Sequence, residues 1–421
     1  MTAVQSDIAD KGLVDKGTDL IEWASDQMDV LAELRKRFRK TKPLDDVRIA
    51  GCLHITTETA NLARTLKAAG ADVRLCASNP LSTNDAVAAG LVEEYGIPVF
   101  AIHDEDKDTY YSHIHSVLDM EPHLTIDDGC DLVYTIHEER EELIDGIHAG
   151  MEETTTGLVR LRAMANEGSL RFPVFAVNDA TTKHLFDNRH GTGQSSLEGI
   201  MRATNMLMAG SVVVVSGYGM CGRGFANRAR GMGARVIVTE TDPLRALEAH
   251  MDGFDVKPMA EAAPEGDLFA TFTGNTSVVR REHFEEMKDG AILCNGGHFN
   301  VEIDLEDLEE MSNSVEEGVR EHVDAYELDD KTLYVLGEGR LVNLSCADGH
   351  PASVMDMSFA TQSLTCLHVI ESGFDEEPDV YPVPEAIEKE VSSLKLSTLD
   401  VEIDELTDRQ EEYLNQAGEG T

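Results

Sequence analysis

The sequence predicts an α/β protein: two doubly wound parallel-sheet domains followed by a short C-terminal helical tail. Three observations predict it. A strand–helix alternation runs from Val47 to Asn178, a second one starts near Leu197, and the β-branched run Val212 to Val215 leads straight into a cluster of glycines. Strands separated by helices of ten or more residues need crossovers over both faces, which makes the sheets parallel and doubly covered. At 421 residues the chain is long enough for two or three domains, each with its own core.

Residues 19 to 40, DLIEWASDQMDVLAELRKRFRK, place Leu20, Ile21, Trp23, Ala24, Met28, Leu31 and Leu34 at helical spacing. The basic turn that ends this segment suits a helix C-terminus, and Lys42-Pro43 stops the helix. The strands VRIAGC, DVRLCA, IPVFAI, HLTID and PVFAVN follow. Between them helices are expected at Glu58 to Ala69, Asp85 to Tyr95, Tyr111 to Leu118, Glu138 to Ile144 and Thr156 to Ala165. The second alternation opens with the helix LEGIMRATNMLMAG and continues through the strands LFATFT, AILCN and TLYVLG. The acidic segment 302 to 330 reads as exposed helices and turns, and Ser358 to Glu371 as a helix packing back on the first domain. The tail, DVEIDELTDRQEEYLNQ, is a short amphipathic helix that needs another domain or subunit to dock on.

Within the second alternation, SVVVVSGYGMCGRG carries Gly217, Gly219 and Gly222 as G-x-G-x-x-G between a strand and a helix, and the next strand ends at Glu240. That order is what a dinucleotide pyrophosphate requires in a Rossmann-like domain. Glycines allow the tight turn and close backbone approach, the helix start offers free N–H groups, and the acid takes the ribose hydroxyls. A carboxylate at 240 repels a 2′-phosphate, so NAD is expected rather than NADP. The first alternation has no such fingerprint and is free to hold something else.

Composition narrows the partners. A net charge of −44 argues against nucleic acid and anionic membranes, both of which attract basic patches. The acids are spread along the chain like a solvated coat suited to high salt, which suggests a halophilic source. Seven cysteines without a C-x-x-C pair give neither a disulfide framework nor a zinc site, and no metal is expected. A polar, acidic start and the lack of an apolar run long enough for a bilayer point to a cytoplasmic protein.

Ligands of doubly wound sheets sit beyond the C-terminal strand ends. Polar clusters fall there five times: His54 to Glu58, Ser78-Asn79, Asp127-Asp128-Gly129, Glu153 to Thr156, and Asp179 through Thr182-Lys183 to Asp187-Asn188. Lys183 and Asp187, at i and i+4 between the two domains, share a helical face and can hold each other's charge.

CLHITTETANLARTL, IDDGCDL, EETTTG, NDATTKHLFDN, GYGMCGRG, VIVTETDP, GHFNVEID and GRLVNLSCADGHP together closely resemble the S-adenosylhomocysteine hydrolase family. The resemblance spans nearly the whole chain and implies a cycle run on one tightly bound NAD per subunit. The ribose 3′-hydroxyl of S-adenosylhomocysteine is oxidised, the 4′ proton is lost, homocysteine is eliminated, water adds, and the hydride is returned to give adenosine. On this likeness Lys183, with Asp187 and Asn188, takes the 3′-hydroxyl proton, for which the lysine needs a lowered pKa. Glu153 and Thr154 hold the ribose hydroxyls, and His54 and Asp128 serve the 4′ proton and the 5′ position. Thr56, Glu58 and Asn79 contact the substrate, and His298, Phe299, His350 and Met355 line the homocysteine channel and its gate. NAD falls to Thr154, Thr155, Thr156, Asn188, Gly217, Gly219, Met220, Cys221, Gly222, Glu240, Thr273, Asn275, Gly297, His298 and Asn343.

The likeness also implies a homotetramer. It divides the chain into 1-183, the first part of a substrate-binding domain; 184-348, the NAD domain; 349-390, a return to the substrate domain; and 391-421, a tail contacting another subunit. GTGQSS at 191 to 196 is similar to bacterial and archaeal members, whereas Asn84, Ser78 and an EGT ending without Lys and Tyr depart from the common pattern. Three alternatives stay open: an S-inosylhomocysteine hydrolase, a non-catalytic NAD-binding regulator, and a dehydrogenase that releases its cofactor each cycle. Glu58 favours the adenosyl substrate, because a carboxylate accepts from a 6-amino group but faces an oxygen in hypoxanthine.

Overall fold

A computed structural model describes residues 5–416; the first four residues and the EGT ending lie outside the described residues. The first sheet holds β1 (Arg48–Cys52), β2 (Asp72–Cys76), β3 (Val99–Phe100), β4 (Leu124–Asp127), β5 (Ala149–Glu152) and β6 (Val174–Ala176). The second holds β7 (Val212–Ser216), β8 (Arg235–Thr239), β9 (Asp255–Val256), β10 (Leu268–Thr271), β11 (Ile292–Asn295), β12 (Ser314–Arg320), β13 (Val323–Glu327) and β14 (Thr332–Leu336). A last strand, β15 (Val380–Pro382), joins the first sheet, which runs β15-β6-β5-β4-β1-β2-β3 with every pairing parallel.

The second sheet runs β12-β13-β14-β11-β10-β7-β8-β9. Six of its strands are parallel, as expected, but β12 and β13 add antiparallel to β14. The acidic segment 302 to 330 is therefore one helix, Leu305–Met311, and a hairpin, not helices and turns alone. Every side chain of β12 is exposed, which is why its sequence carries no buried-strand signal. In both sheets chain order reverses at the centre, between β1 and β4 and between β7 and β10, which leaves a crevice at each point.

Each sheet is covered on both faces by apolar clusters. Met355, Phe359, Leu364 and Val369 of the helix Ala352–Ser372 and Ile387 and Val391 of the helix Glu385–Thr398 belong to the core of the first sheet. The chain thus leaves the first sheet after Asn178 and returns to it after His350.

The single helix read at 19 to 40 is two, Val14–Ser25 and Asp29–Thr41. Buried Asp356 accepts hydrogen bonds from Val30 N at 3.1 Å and Leu31 N at 2.9 Å, so it caps a helix start that a continuous helix would have consumed. Trp23 stands on the outer face of the first of these helices, 72% exposed, where the periodicity placed it inward. The helix read at Glu138 to Ile144 is the end of Asp131–Glu139 followed by a short 3-10 turn, Glu141–Gly146. Among the described residues no helix is long and apolar enough to cross a membrane.

Candidate active site

His54 follows β1 and Asp128 follows β4, so the central reversal of the first sheet brings them together, with His54 Nε2 3.4 Å from Asp128 Oδ2. Buried carboxylates at the ends of β4 and β5 fix the loops that follow these strands. Asp127 accepts from Asp128 N and Val133 N at 3.0 and 2.9 Å, and Glu152 Oε1 accepts from Gly129 N and Thr154 N at 2.9 and 3.0 Å. Burial pushes Asp127 up to about 7 and also lifts Glu152 well above the usual carboxylate range, where the charges of Asp127 and Asp128 raise it further. Burial also lowers His54 to about 4 against the pull of Asp128, so the imidazole is neutral near pH 7. His298 comes from the second domain, its Nδ1 3.8 Å from Asp128 Oδ1. Ligand-type atoms of His54, Asp128 and His298 lie within 4.8 Å of one another, a grouping that joins the two domains.

Lys183 sits on the short helix Thr181–His184 at the crossing between the domains. Its ammonium lies 3.3 Å from Asp187 Oδ1 and 3.7 Å from Glu153 Oε1, and it donates to Asn178 Oδ1 at 3.1 Å and Asn188 Oδ1 at 3.0 Å. The i,i+4 pairing read from the sequence is present, and it is buried. Burial draws the ammonium down, but Asp187, Glu153 and Asp128 outweigh it and hold Lys183 above its ordinary value. This corrects the expectation of a lowered lysine, because three carboxylates close around the amine where desolvation alone was anticipated. Asp187 is held below its ordinary value by Lys183 and His350 despite burial, whereas burial lifts Glu153 to about 8 against the pull of Lys183.

These groups line one cavity of about 570 Å³ between the two domains. Its first-domain side carries Thr56, Glu58, Glu153 and Thr154 to Thr156, besides His54 and Asp128. Thr57 Oγ1 donates to Glu58 Oε1 at 2.7 Å. The returning segment adds His350, Met355 and Phe359. Asn79 is off the wall because its Oδ1 accepts from Leu81 N within its own turn. Asn84 likewise caps the helix Asp85–Glu93. Phe299 stands behind His298, ring edge to face at 4.7 Å.

The second-domain side carries Gly219, Met220, Cys221, Thr273, Gly297 and Asn343. Gly217 and Gly222 do not reach the cavity; they shape the turn. Gly217 has φ +91°, and a Cβ on Gly222 would stand 1.9 Å from the Gly217 carbonyl oxygen. The helix Met220–Gly231 begins at Gly219 with no side-chain cap, so its first N–H groups point into the space. Asn343 Oδ1 is buried and has no hydrogen-bond partner, as fits an acceptor awaiting a carboxamide. The cradle therefore fits NAD. Glu240 is not on the wall; its carboxylate accepts from Tyr218 N, Thr241 N and Asp242 N and so holds the glycine turn against the end of β8. Asn275 is exposed, on a loop fixed from behind by buried Glu302, which accepts from Thr273 N and Gly274 N.

Sequence reasoning missed Asn178, Ser358, Gln362 and Glu302. Ser358 Oγ donates to Asp187 Oδ2 at 3.1 Å, and Gln362 Nε2 donates to Glu153 Oε2 at 2.5 Å. The available signal was Ser358, Thr361 and Gln362 at i, i+3 and i+4 within an otherwise apolar helix, a polar stripe facing inward.

Residues 5–149 match the family description S-adenosyl-L-homocysteine hydrolase, and residues 188–349 match S-adenosyl-L-homocysteine hydrolase, NAD binding domain. An adenosylhomocysteinase of Aquifex aeolicus is 57% identical over 419 residues, 99% of this chain and 100% of the relative. One from Thermosynechococcus vestitus is 55% identical over 99% of this chain and 97% of its own. An S-inosyl-L-homocysteine hydrolase of Methanocaldococcus jannaschii is 51% identical over 99% of this chain and all of its own length. With two matched domains, and full-length relatives at more than half identity, this chain belongs to the S-adenosyl-L-homocysteine hydrolase family.

Proposed function

We propose that the chain catalyses the reversible, NAD-dependent hydrolysis of S-adenosyl-L-homocysteine to adenosine and L-homocysteine. The observation that carries this reading is Lys183, buried between Glu153, Asp187, Asn178 and Asn188 on the wall that faces Asn343 and the glycine turn. NAD, when bound there, supplies the hydride acceptor that makes C3′ a ketone and the store from which the hydride returns. In its amine form Lys183 takes the proton of the 3′-hydroxyl, and the ammonium that results is held by Asp187 at 3.3 Å and by Asn178 and Asn188. Glu153 and Thr154 hold the ribose, and Gln362 and Ser358 keep Glu153 and Asp187 in place. The 3′-ketone acidifies C4′–H. The His54–Asp128 pair takes that proton as the C5′–S bond breaks and homocysteine leaves, and it then serves the water that adds at C5′.

The S-inosyl relative makes hypoxanthine the second candidate base. Glu58 argues for adenine: its carboxylate lines the cavity and accepts from a 6-amino group but faces an oxygen in hypoxanthine, and burial makes a mismatch there costly. We further propose a homotetramer, supported by the uncovered apolar side chains Ile403, Leu406, Tyr413 and Leu414 of the tail. A cytoplasmic location is supported by seven cysteines that are all unpaired. Purified protein with no added NAD is expected to form adenosine and homocysteine through many turnovers. Absence of turnover with or without NAD overturns the enzyme reading, and turnover only on the inosyl thioether overturns the choice of base.

A further inference from the structure

His54 is engaged through both ring nitrogens. Nε2 faces the cavity beside Asp128, whereas Nδ1 points away into the turn that follows β2. There Nδ1 lies 2.7 Å from Ser82 Oγ and 3.0 Å from Ser78 Oγ. Ser82 has a single hydroxyl proton, and the Asn79 carbonyl, 2.8 Å from Oγ, is an acceptor that cannot itself donate and so draws it. With the proton spent there, Ser82 offers His54 a lone pair, and Nδ1 is the donor of the 2.7 Å contact. Ser78 imposes no tautomer, because its hydroxyl serves as donor or acceptor alike. The geometry is held by backbone. Ile55 and Thr83 pair in a parallel bridge, Asn84 N donates to the Ile55 carbonyl at 3.0 Å, and Ser82 is only 6% exposed.

We infer that Ser82 is a positioning residue: it holds His54 in the Nδ1–H tautomer and so keeps the Nε2 lone pair open towards the reacting 5′ position. The inference rests on the proton-transfer role proposed for His54. In water addition the C5′–O bond forms, the electron pair moves into the enolate of the 3′-ketone, and the proton from the water goes to Nε2. The imidazolium so formed lies 3.4 Å from the Asp128 carboxylate, which stabilises it. With the proton on Nε2 instead, the ring has no lone pair to offer on the cavity side.

The test is solid-state 15N NMR of holoenzyme labelled at histidine ring nitrogens, with His54→Gln identifying the His54 signals among the 15 histidines, read beside kcat. Wild type and Ser82→Thr, which keeps the hydroxyl, are expected to show protonated Nδ1 and bare Nε2. Ser82→Ala is expected to move a large share of His54 to Nε2–H and to lower kcat about tenfold, the population shift that one hydrogen bond sustains. Ser78→Ala is expected to leave the tautomer unchanged. An unaltered His54 pattern in Ser82→Ala overturns the inference whatever the turnover. An altered pattern with wild-type kcat upholds Ser82 as the tautomer anchor and overturns instead the role of His54 as proton acceptor.

Discussion

Asp187→Asn tests how the charge on Lys183 is maintained. The substitution keeps the shape of the side chain and an oxygen for Ser358 but removes the carboxylate 3.3 Å from the ammonium. At that separation and an effective dielectric of about 20, the lost attraction is about 5 kcal/mol. Glu153 remains 3.7 Å from the amine, and Asn178 and Asn188 still accept from it, so the cluster weakens without vanishing. Two consequences are expected. Leaving a buried cation short of one partner costs the fold about 3–5 kcal/mol, seen as a lower melting temperature of the holoenzyme. The amine also titrates lower, by as much as about four pH units, so the ascending limb of the pH profile for C3′ oxidation, which follows the free amine, shifts downward. That step is followed in a single turnover by the absorbance of reduced nicotinamide on adding adenosine. A variant with unchanged melting temperature and an unchanged pH profile refutes the claim that Asp187 holds the lysine as a cation.

Lys183→Ala is expected to retain NAD, since the glycine turn and Asn343 are untouched, while C3′ oxidation falls by about 10²–10⁴; normal turnover removes the assigned role. Gly222→Ala drives a methyl into the Gly217 carbonyl at 1.9 Å and is expected to yield protein that loses NAD on gel filtration, with a cofactor content equal to wild type as the contrary result. His54 is neutral in the fold down to about 4, whereas the unfolded chain protonates it near 6.5, so the unfolded state binds the extra proton between those values. Stability therefore falls as pH drops from 6.5 towards 4, and His54→Gln should flatten part of that slope in denaturant titrations. With a net charge of −44, the melting temperature is expected to climb as KCl shortens the screening length from about 10 Å to about 3 Å; a flat dependence counts against an acid coat adapted to salt.

Much was legible in the chain because it rests on local rules. Period-2 and period-3.6 apolar patterns mark strands and helices, and Gly217, Gly219 and Gly222 after a β-branched run mark the dinucleotide turn, since only neighbours in sequence are needed to satisfy them. The charged set was readable for the same reason: His54, Asp128 and Glu153 stand just past the ends of β1, β4 and β5, and Lys183 and Asp187 follow β6 at i and i+4. Tertiary structure decided what depends on residues far apart in the chain. Asp356 breaks the N-terminal helix from 326 residues away, and Ser358 and Gln362 reach Asp187 and Glu153 across separations of 171 and 209. The protonation states of Lys183, Glu153 and His54 belong to this second class. A pKa is set by the charges and the water that surround a group in space, and only the folded chain brings three carboxylates around one buried amine.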